Sequence, residues 1–400
     1  MKYTPFLCLF MLVTACSTPR SENQNSEKRG EFGSDLDFLT EHLEVIKLSS
    51  EANENAQLLI VPQYQGRVMT STTGGESGKS YGWINYDLIA SGKLTPHMNA
   101  FGGEERIWLS PEGGQYSVFF PPGSTFSFEN WQTPAFIDSE PYHVVSFDDH
   151  SASFTKKTSF ENYSGTTFDI QIDRTIRVLR DTGLLGISAG QTRWVGYQSE
   201  NIITNLGEDW DKEKGTVGIW ILGMFKPSDA TTLLAPYNPA IEPIHITDDY
   251  FGKVPADRLL KTDSLFLFKG DGKQRGKIGL APPSAKPLAG AYDAENHVLT
   301  IICFDYNPQG EYLKSTWEFH DQPYSGDAFN SYNDGKTEDG SQLGPFIELE
   351  SNSPTLALKK GEKLTHKHST FHFEGPENEL DKIARQVLGI SLDRITSQMK

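Results

Sequence analysis

Residues 99–122 run NAFGGEERIWLSPEGGQYSVFFPP, with two glycine pairs on either side of a charged and aromatic core. Glycine lets the backbone approach a neighbour closely and adopt positive φ, while Trp offers a flat face and Arg and Glu offer directed hydrogen bonds. One interpretation is the wall of a sugar-binding site containing Arg106, Trp108 and Glu112. The other is a β-bulge and turn between two strands, with Trp108 in the core.

Outward from this stretch, the chain consists of short runs of alternating apolar residues separated by turns. In the longest run, residues 167–179, a period of two places Phe168, Ile170, Ile172 and Ile176 on one face. More than a dozen such runs occur without any βαβ alternation, and they include residues 117–120, 314–319 and 355–358. The pattern predicts an all-β protein, a large antiparallel β-sandwich.

Arg174 interrupts the apolar face of the longest run. Either a β-bulge shifts the phase of the strand at this point, or the Arg side chain points inward and pairs with a carboxylate. In the second case Arg174 is a candidate site residue.

Both ends of the domain are predicted to be helical. Leu36, Leu39 and Leu43 recur at helical spacing after Ser34, which is expected to cap a short helix. A second apolar stripe runs through residues 377–400. We therefore expect a β-sandwich over residues 34–376 and a helical cap over residues 377–400.

The first residues indicate export. An apolar run over residues 6–13 is too short to span a bilayer, and it ends in Val-Thr-Ala-Cys. This sequence resembles the lipobox of bacterial lipoproteins, which implies a signal peptide over residues 1–15 and lipidation of Cys16; a plain signal peptide cut after Ala15 is the alternative. Residues 16–33 are polar and form the expected tether. Ser17 favours the outer membrane, with the domain in the periplasm or at the cell surface.

The net charge limits the classes of binding partner, and the cysteine content limits the disulfides that can form. The net charge of -17 argues against nucleic acid and anionic lipid, so contact with a membrane is expected through the N-terminal lipid only. With Cys8 in the signal peptide and Cys16 as the anchor, only Cys303 remains, and no disulfide framework is possible.

Residues 74–80 resemble a P-loop, but Thr73 replaces the required glycine, so a hairpin tip is expected there.

Several motifs together resemble the galactose-mutarotase-like (aldose 1-epimerase-like) β-supersandwich, and more closely a bacterial lipoprotein branch of it. They are Gly66-Arg67-Val68, GGEERIWLSPEGG at residues 102–114, the long central strand followed by residues 201–205 and Trp220, and PFIELESNSP at residues 345–354 ahead of LKKGEKLTH. The resemblance covers residues 35–375. It implies that the ligand is a mono- or oligosaccharide and that no cofactor is needed.

In aldose 1-epimerases a Glu on a late strand acts as the base and a His acts as the acid, because ring opening moves two protons. The resemblance implies Glu350 as base, with Glu348 in reserve, and Arg106 as the residue that grips the sugar. Two residues apart on a strand, the two Glu side chains share a face at about 7 Å. A solvated pair on an outward face is the alternative.

The expected acid is missing. Where mutarotases carry a His after an Asn, this chain reads Asn205-Leu206, so Asn205 is expected to line the site and ordinary mutarotase activity is in doubt. His97 and His143 are the other residues that could supply a proton, although neither lies in a matching motif.

Two further groups of residues have side chains that suit sugar binding or metal ligation. Trp317, Asp327 and Asn330 belong to a long polar and aromatic segment that either binds sugar hydroxyls and faces or is simply an irregular loop. His366, His368 and His372 have a spacing compatible with metal ligation, but Lys359 and Lys367 nearby oppose a cation, so no metal site is expected.

Taken together, the sequence predicts a carbohydrate-binding lipoprotein that acts in glycan or sugar utilisation. The alternative is a sugar-active enzyme, an epimerase or a glycan lyase or hydrolase, with Glu350 as general base.

Overall fold

The computed structural model describes residues 29–238, 240–337 and 339–399. The expected signal peptide, the lipidation site Cys16 and most of the tether lie outside these residues. Within them, no helix combines the length and the apolar character needed to cross a membrane.

Strands dominate the described part of the chain. They are β1 (Ile46–Ser50), β2 (Asn53–Val61), β3 (Arg67–Thr72), β4 (Arg106–Ser110), β5 (His143–Phe147), β6 (Ser151–Glu161), β7 (Thr167–Val178), β8 (Arg193–Asn205), β9 (Gly218–Leu222), β10 (Met224–Phe225), β11 (Thr231–Pro236), β12 (Ile246–Thr247), β13 (Leu259–Lys261), β14 (Leu265–Lys269), β15 (Gly276–Leu280), β16 (Leu288–Asp293), β17 (Val298–Phe304), β18 (Phe329–Asn333), β19 (Ile347–Asn352) and β20 (Lys363–Glu374). The helices are α1 (Phe32–His42), α2 (Tyr86–Ser91), α3 (Glu377–Ile383), followed by a π-helical turn, and α4 (Leu392–Gln398).

The strands form three antiparallel sheets. The largest has ten strands in the order β13-β14-β11-β16-β17-β20-β8-β7-β6-β5. The second has the order β12-β15-β18-β19-β9-β4, with β10 paired to β19, and the third is β1-β2-β3. This architecture confirms the predicted antiparallel β-supersandwich with short terminal helices.

Strand β20 shows how the sheets are packed. Its His366 and His368 point to the middle of the sandwich, where both rings contact Ser351 Oγ of β19, at 2.8 Å and 2.9 Å. The alternate residues Phe371 and Phe373 pack on the other face, in one apolar cluster with the C-terminal helices. The C-terminal segment therefore covers the outside of the ten-stranded sheet, as its apolar stripe predicts.

Arg174 is paired and not displaced by a bulge. The register of β7 with both neighbouring strands is continuous through this residue. Its guanidinium is fully buried and donates to Glu105 Oε1 at 2.8 Å and to Asn201 Oδ1 at 2.6 Å. The inward pairing with a carboxylate, one of the two alternatives from the sequence, is the one observed. Because these groups fill the interior between sheets, Arg174 has a structural position.

Two glycines of residues 102–114 let their backbone lie close to neighbouring segments of the chain. Gly103 has φ of 107°, and a Cβ there would lie 2.7 Å from Arg67 Cδ. A Cβ on Gly113 would lie 2.3 Å from the carbonyl oxygen of Thr316. Side chains at these positions would push β4 and its following turn away from their neighbours.

Some local predictions from the sequence are wrong. Residues 117–120, 314–319 and 355–358 form no strand, because their backbone groups bond to loops: Tyr163 N, for example, donates to Ser117 O at 2.7 Å. Helix α1 begins at Phe32, so Ser34 lies inside its first turn and does not cap it. Residues Gly75–Ser77 form a short 3₁₀ turn in place of the expected hairpin tip.

Replacing Arg174 with Met leaves the Glu105 carboxylate buried without its cation. We expect the free energy of unfolding in urea to fall by about 3–5 kcal/mol. The double variant Arg174→Met/Glu105→Gln removes both charges and should recover part of that loss. The exposed Arg177→Met on the same strand is the control and should change stability by less than about 0.5 kcal/mol. Equal losses for Arg174→Met and Arg177→Met would contradict the importance of the pair.

Candidate functional site

Strand β19 carries two carboxylates on the face turned away from the ten-stranded sheet. Ser351 faces that sheet, so alternation directs Glu348 and Glu350 to the opposite side. Strands β9 and β4 on one side of β19, and β15 beyond β18 on the other side, bring cations and indole rings to the same face through their registers. We call this set the site wall: Arg106, Trp108, Trp220, Lys277, Glu348 and Glu350.

Glu350 is fully buried at the centre of the site wall. Its Oε2 accepts hydrogen bonds from Trp220 Nε1 and from Lys277 Nζ, both at 2.9 Å. The Lys277 ammonium also lies 4.7 Å from the centroid of the Trp220 ring. The other oxygen, Oε1, is buried without a hydrogen-bond partner among the described residues. A buried acceptor of this kind calls for a water or a ligand hydroxyl.

Glu348 forms the second half of the pair. Arg106 Nη2 donates to its Oε1 at 3.0 Å, and the guanidinium carbon of Arg106 lies 4.6 Å from the centroid of Trp108. Burial raises the pKa of Glu348 to about 7; Arg106 opposes the rise and the neighbouring Glu350 adds to it. This carboxyl therefore exchanges its proton near neutral pH, where a general acid or base is most effective.

Three buried polar atoms of the site wall have no partner among the described residues: Glu350 Oε1, Arg106 Nε and Trp108 Nε1. One is an acceptor and two are donors. A hydroxyl group can both donate and accept. The cations Arg106 and Lys277 are matched by the two carboxylates, so the wall carries little net charge. The arrangement therefore suits a neutral molecule with several hydroxyl groups.

Glu112 and Trp317 adjoin the site wall. Trp317 Nε1 donates to Glu112 Oε1 at 3.2 Å. Burial raises the pKa of Glu112, with a further rise from Glu350 and an opposing effect of Lys277. Two hydrogen bonds hold the loop of Trp317 beside the loop of Glu112. Gln115 Nε2 donates to the carbonyl oxygen of His320 at 2.7 Å, and His320 N donates to Gln115 Oε1 at 3.0 Å.

Asp327 and Asn330 lie at another edge of the wall. The hydroxyl of Tyr250 donates to Asp327 Oδ2 at 2.5 Å and accepts from Asn330 Nδ2 at 3.1 Å. Burial raises the pKa of Asp327. Asn330 stands opposite Glu350 in the register of β18 and β19, and Lys277 Nζ lies 5.4 Å from the centroid of the Tyr250 ring.

Asn205 is placed elsewhere. It ends β8 in the ten-stranded sheet, and its Nδ2 donates to the carbonyl oxygens of Glu208 at 2.8 Å and Leu358 at 2.9 Å. Its side chain thus holds a loop at the edge of the other sheet and does not line the site wall. The remaining predicted residues lie in or beside the site wall: Arg106, Trp108, Glu112, Trp317, Asp327, Asn330, Glu348 and Glu350.

Sequence reasoning missed three members of the site. Lys277 is the second residue of β15, which is otherwise free of charged residues, and a lone Lys in a buried strand could have been recognised as a candidate. Trp220 was named only for the resemblance, since a Trp in an apolar strand is indistinguishable from a core residue. Tyr250 lies in an irregular segment with no pattern to mark it.

The histidines have other partners. Burial lowers the pKa of His366 to about 3 and also lowers that of His368. His372 contacts Thr300 Oγ1 at 2.8 Å and Glu104 Oε2 at 3.1 Å in the interior. Across residues 29–238, 240–337 and 339–399, no group of three His, Cys, Asp or Glu side chains is placed to hold a metal ion.

The two histidines considered as proton donors are also located. His97 Nδ1 lies 2.6 Å from the carbonyl oxygen of Trp131, in a loop beside the site wall. His143 is exposed at the start of β5, at the edge of the ten-stranded sheet. Neither contacts Glu348 or Glu350 through a hydrogen bond.

Residues 30–399 match the model of a family of unknown function, DUF6786, and the chain belongs to that family. A comparison with curated proteins finds no match.

Three solved structures are similar to this chain over most of its length. The Slr1438 protein from Synechocystis sp. PCC 6803 is 12% identical with a TM-score of 0.51, over 83% of this chain and 96% of that one. A galactose mutarotase-like protein from Lactobacillus casei ATCC 334 is 12% identical with a TM-score of 0.44, over 83% and 99%. A galactose mutarotase related enzyme from Lactobacillus acidophilus is 10% identical with a TM-score of 0.47, over 82% and 97%. With a TM-score of 0.51, the Slr1438 structure shares the fold of this chain, and the likeness extends to the fold alone.

The raised pKa of Glu348 predicts a pH-dependent stability. Its folded pKa of about 7 exceeds the ordinary value of 4.5, so the folded state holds the proton more tightly. The stabilisation is complete below pH 4.5 and is lost as pH rises to 7, by about 3 kcal/mol in total. In urea unfolding across this range, Glu348→Gln should remove that component of the pH slope. An unchanged slope would contradict the buried titration of Glu348, and the exposed Glu161→Gln is the control.

Proposed function

We propose that the site wall binds a neutral carbohydrate. The observation that carries the proposal is the set of unpaired buried atoms, Glu350 Oε1, Arg106 Nε and Trp108 Nε1, on one sheet face that also presents indole rings. Adjacent hydroxyls of a sugar can satisfy an acceptor and two donors at once. The apolar face of a sugar ring can pack on an aromatic side chain, as ligand sites of this kind commonly combine apolar walls with a few directed polar groups.

Acid-base catalysis on the bound sugar is the second candidate, and the pKa of Glu348 favours it. Proton transfer at two sugar oxygens requires one group that gives a proton and one that takes it. Glu348, with a pKa of about 7, can hold a proton at neutral pH, and Glu350 is the adjacent carboxylate with a free oxygen. Glu348 would then fill the role for which the sequence offers no His.

Proton NMR of a panel of reducing sugars and oligosaccharides, recorded with the protein and its variants, tests both candidates. We expect saturation transfer to at least one sugar, with affinity reduced about tenfold or more in Glu350→Gln, because an amide oxygen is a weaker acceptor than a carboxylate. Faster exchange between anomers, or new product signals, lost in both Glu348→Gln and Glu350→Gln, would establish the enzyme.

The exposed Glu161→Gln should bind as the wild type does. Binding without exchange or product would assign a binding protein. Silence across the panel, with the fold intact by urea unfolding, would contradict the proposal as a whole.

We also propose that the protein is a lipoprotein anchored through Cys16, with the β-sandwich facing the periplasm or the cell surface and acting in glycan or sugar utilisation. The support is the lipobox-like sequence and the polar tether that follows it. Labelled palmitate should enter the wild-type chain and be absent from Cys16→Ser. Cys303→Ser is the matched control. Equal labelling of the wild type and Cys16→Ser would overturn this part of the proposal.

A further inference from the structure

An exposed group of aromatic side chains lies beside the site wall. We call it the aromatic platform: Phe128, Trp131, Trp317 and Phe319. Phe128 and Phe319 are 59% and 68% exposed, although both are large apolar residues. Trp317 is partly exposed, whereas Trp131 is buried and belongs to the core. Exposed Phe side chains beside a partly exposed Trp are the composition of a contact surface more than of a folding core.

The rings of the platform are arranged in sequence. Phe128 and Trp131 lie 6.2 Å apart between centroids at an interplanar angle of 19°, and Trp131 and Trp317 lie 5.9 Å apart at 26°. Trp131 is also stacked on Phe119, at 6.0 Å and 6°, so it supports the row from the core, and the accessible ring surface belongs to Phe128, Trp317 and Phe319. Trp131 Nε1 is also buried without a partner among the described residues, so the platform retains an unused donor.

The platform is continuous with the site wall at two points. Trp131 lies 6.5 Å from Trp108, which belongs to the wall. Trp317 donates to Glu112, whose carboxylate is within electrostatic reach of Glu350. The platform is therefore adjacent to the wall, and Trp317 is its partly exposed member at that edge.

The two loops that carry the platform are fixed in place. Gln132 N donates to Phe119 O at 2.9 Å, and Thr133 N donates to His97 O at 2.8 Å. The second loop is held by the Gln115 and His320 hydrogen bonds. Binding to rings that are already positioned costs less conformational entropy than binding to mobile ones.

We propose that the aromatic platform is a second sugar subsite, so that the ligand is a neutral oligosaccharide or the end of a longer glycan. This inference rests on the proposed binding function of the site wall. One ring occupies the wall, and the next rings of the chain stack on Trp317 and the exposed Phe side chains, with Trp131 as their support from the core. The carboxylates next to the platform, Glu129 and Glu318, disfavour glycans that carry uronic acids or sulfates.

Isothermal titration of the full chain with neutral cello-, malto- and xylo-oligosaccharides of one to five rings tests the subsite, with galacturonate oligomers as the charged comparison. In the series that binds, we expect affinity to rise about tenfold or more from one ring to three. The double variant Phe128→Ala/Phe319→Ala should lose that gain and keep the affinity for one ring. Phe147→Ala, equally exposed on the ten-stranded sheet, is the control.

Each other outcome has a distinct meaning. If one ring binds and further rings add nothing, or if the double variant matches Phe147→Ala, the subsite is refuted and the site wall stands. Tighter binding of galacturonate oligomers would refute the neutral class. Sedimentation with phosphatidylglycerol vesicles that the double variant loses would assign the platform to a lipid surface instead. The absence of any binding to sugars refutes the proposed function as well.

Discussion

The two faces of β19 govern both the core and the site. Its even-numbered residues Glu348 and Glu350 face the site wall, while Ser351 and its apolar neighbours face the ten-stranded sheet. Because the period of a strand is two, a shift of one residue would turn the carboxylates toward the ten-stranded sheet and the apolar residues toward the site wall. The pairing of β19 with β18 and β9 therefore fixes the site at the same time as the fold.

Several charged and polar side chains lie in the interior of the β-sandwich. The Arg174–Glu105 pair and the His372–Glu104 contact lie between sheets where apolar side chains could have packed. Such groups are tolerated because each finds partners; Glu104, for example, also accepts from Ser71 Oγ at 2.9 Å. Satisfied networks of this kind constrain the geometry of a core more narrowly than apolar contacts, because hydrogen bonds depend on direction. Unpaired buried atoms occur in both places, Glu105 Oε2 among them, but those of the site wall lie together on one sheet face beside two carboxylate–cation pairs and indole rings.

This grouping on one face distinguishes the candidate site from the polar groups of the interior. Asn205, which resembled a site residue by its place in the sequence, has its amide donors engaged by loop carbonyls. Glu350 has one oxygen engaged and one free. The aromatic platform also differs from the core, because Phe128 and Phe319 remain exposed beside buried aromatic neighbours.

The sequence by itself determined the all-β class and the placement of Glu348 and Glu350 on one face, because these follow from local alternation. It also pointed to Arg106, Trp108 and Glu112, through an unusual local combination of glycine, charge and aromatic residues. The phase of β7 at Arg174 was decided by the tertiary structure, where the strand pairing is continuous. Only the tertiary structure brought Lys277, Trp220 and Tyr250 to Glu350, because they come from separate segments joined by long-range strand pairing. It alone removed Asn205 from the site and turned residues 314–319 from an expected strand into a loop, because the partners of a backbone group are set by packing far along the chain.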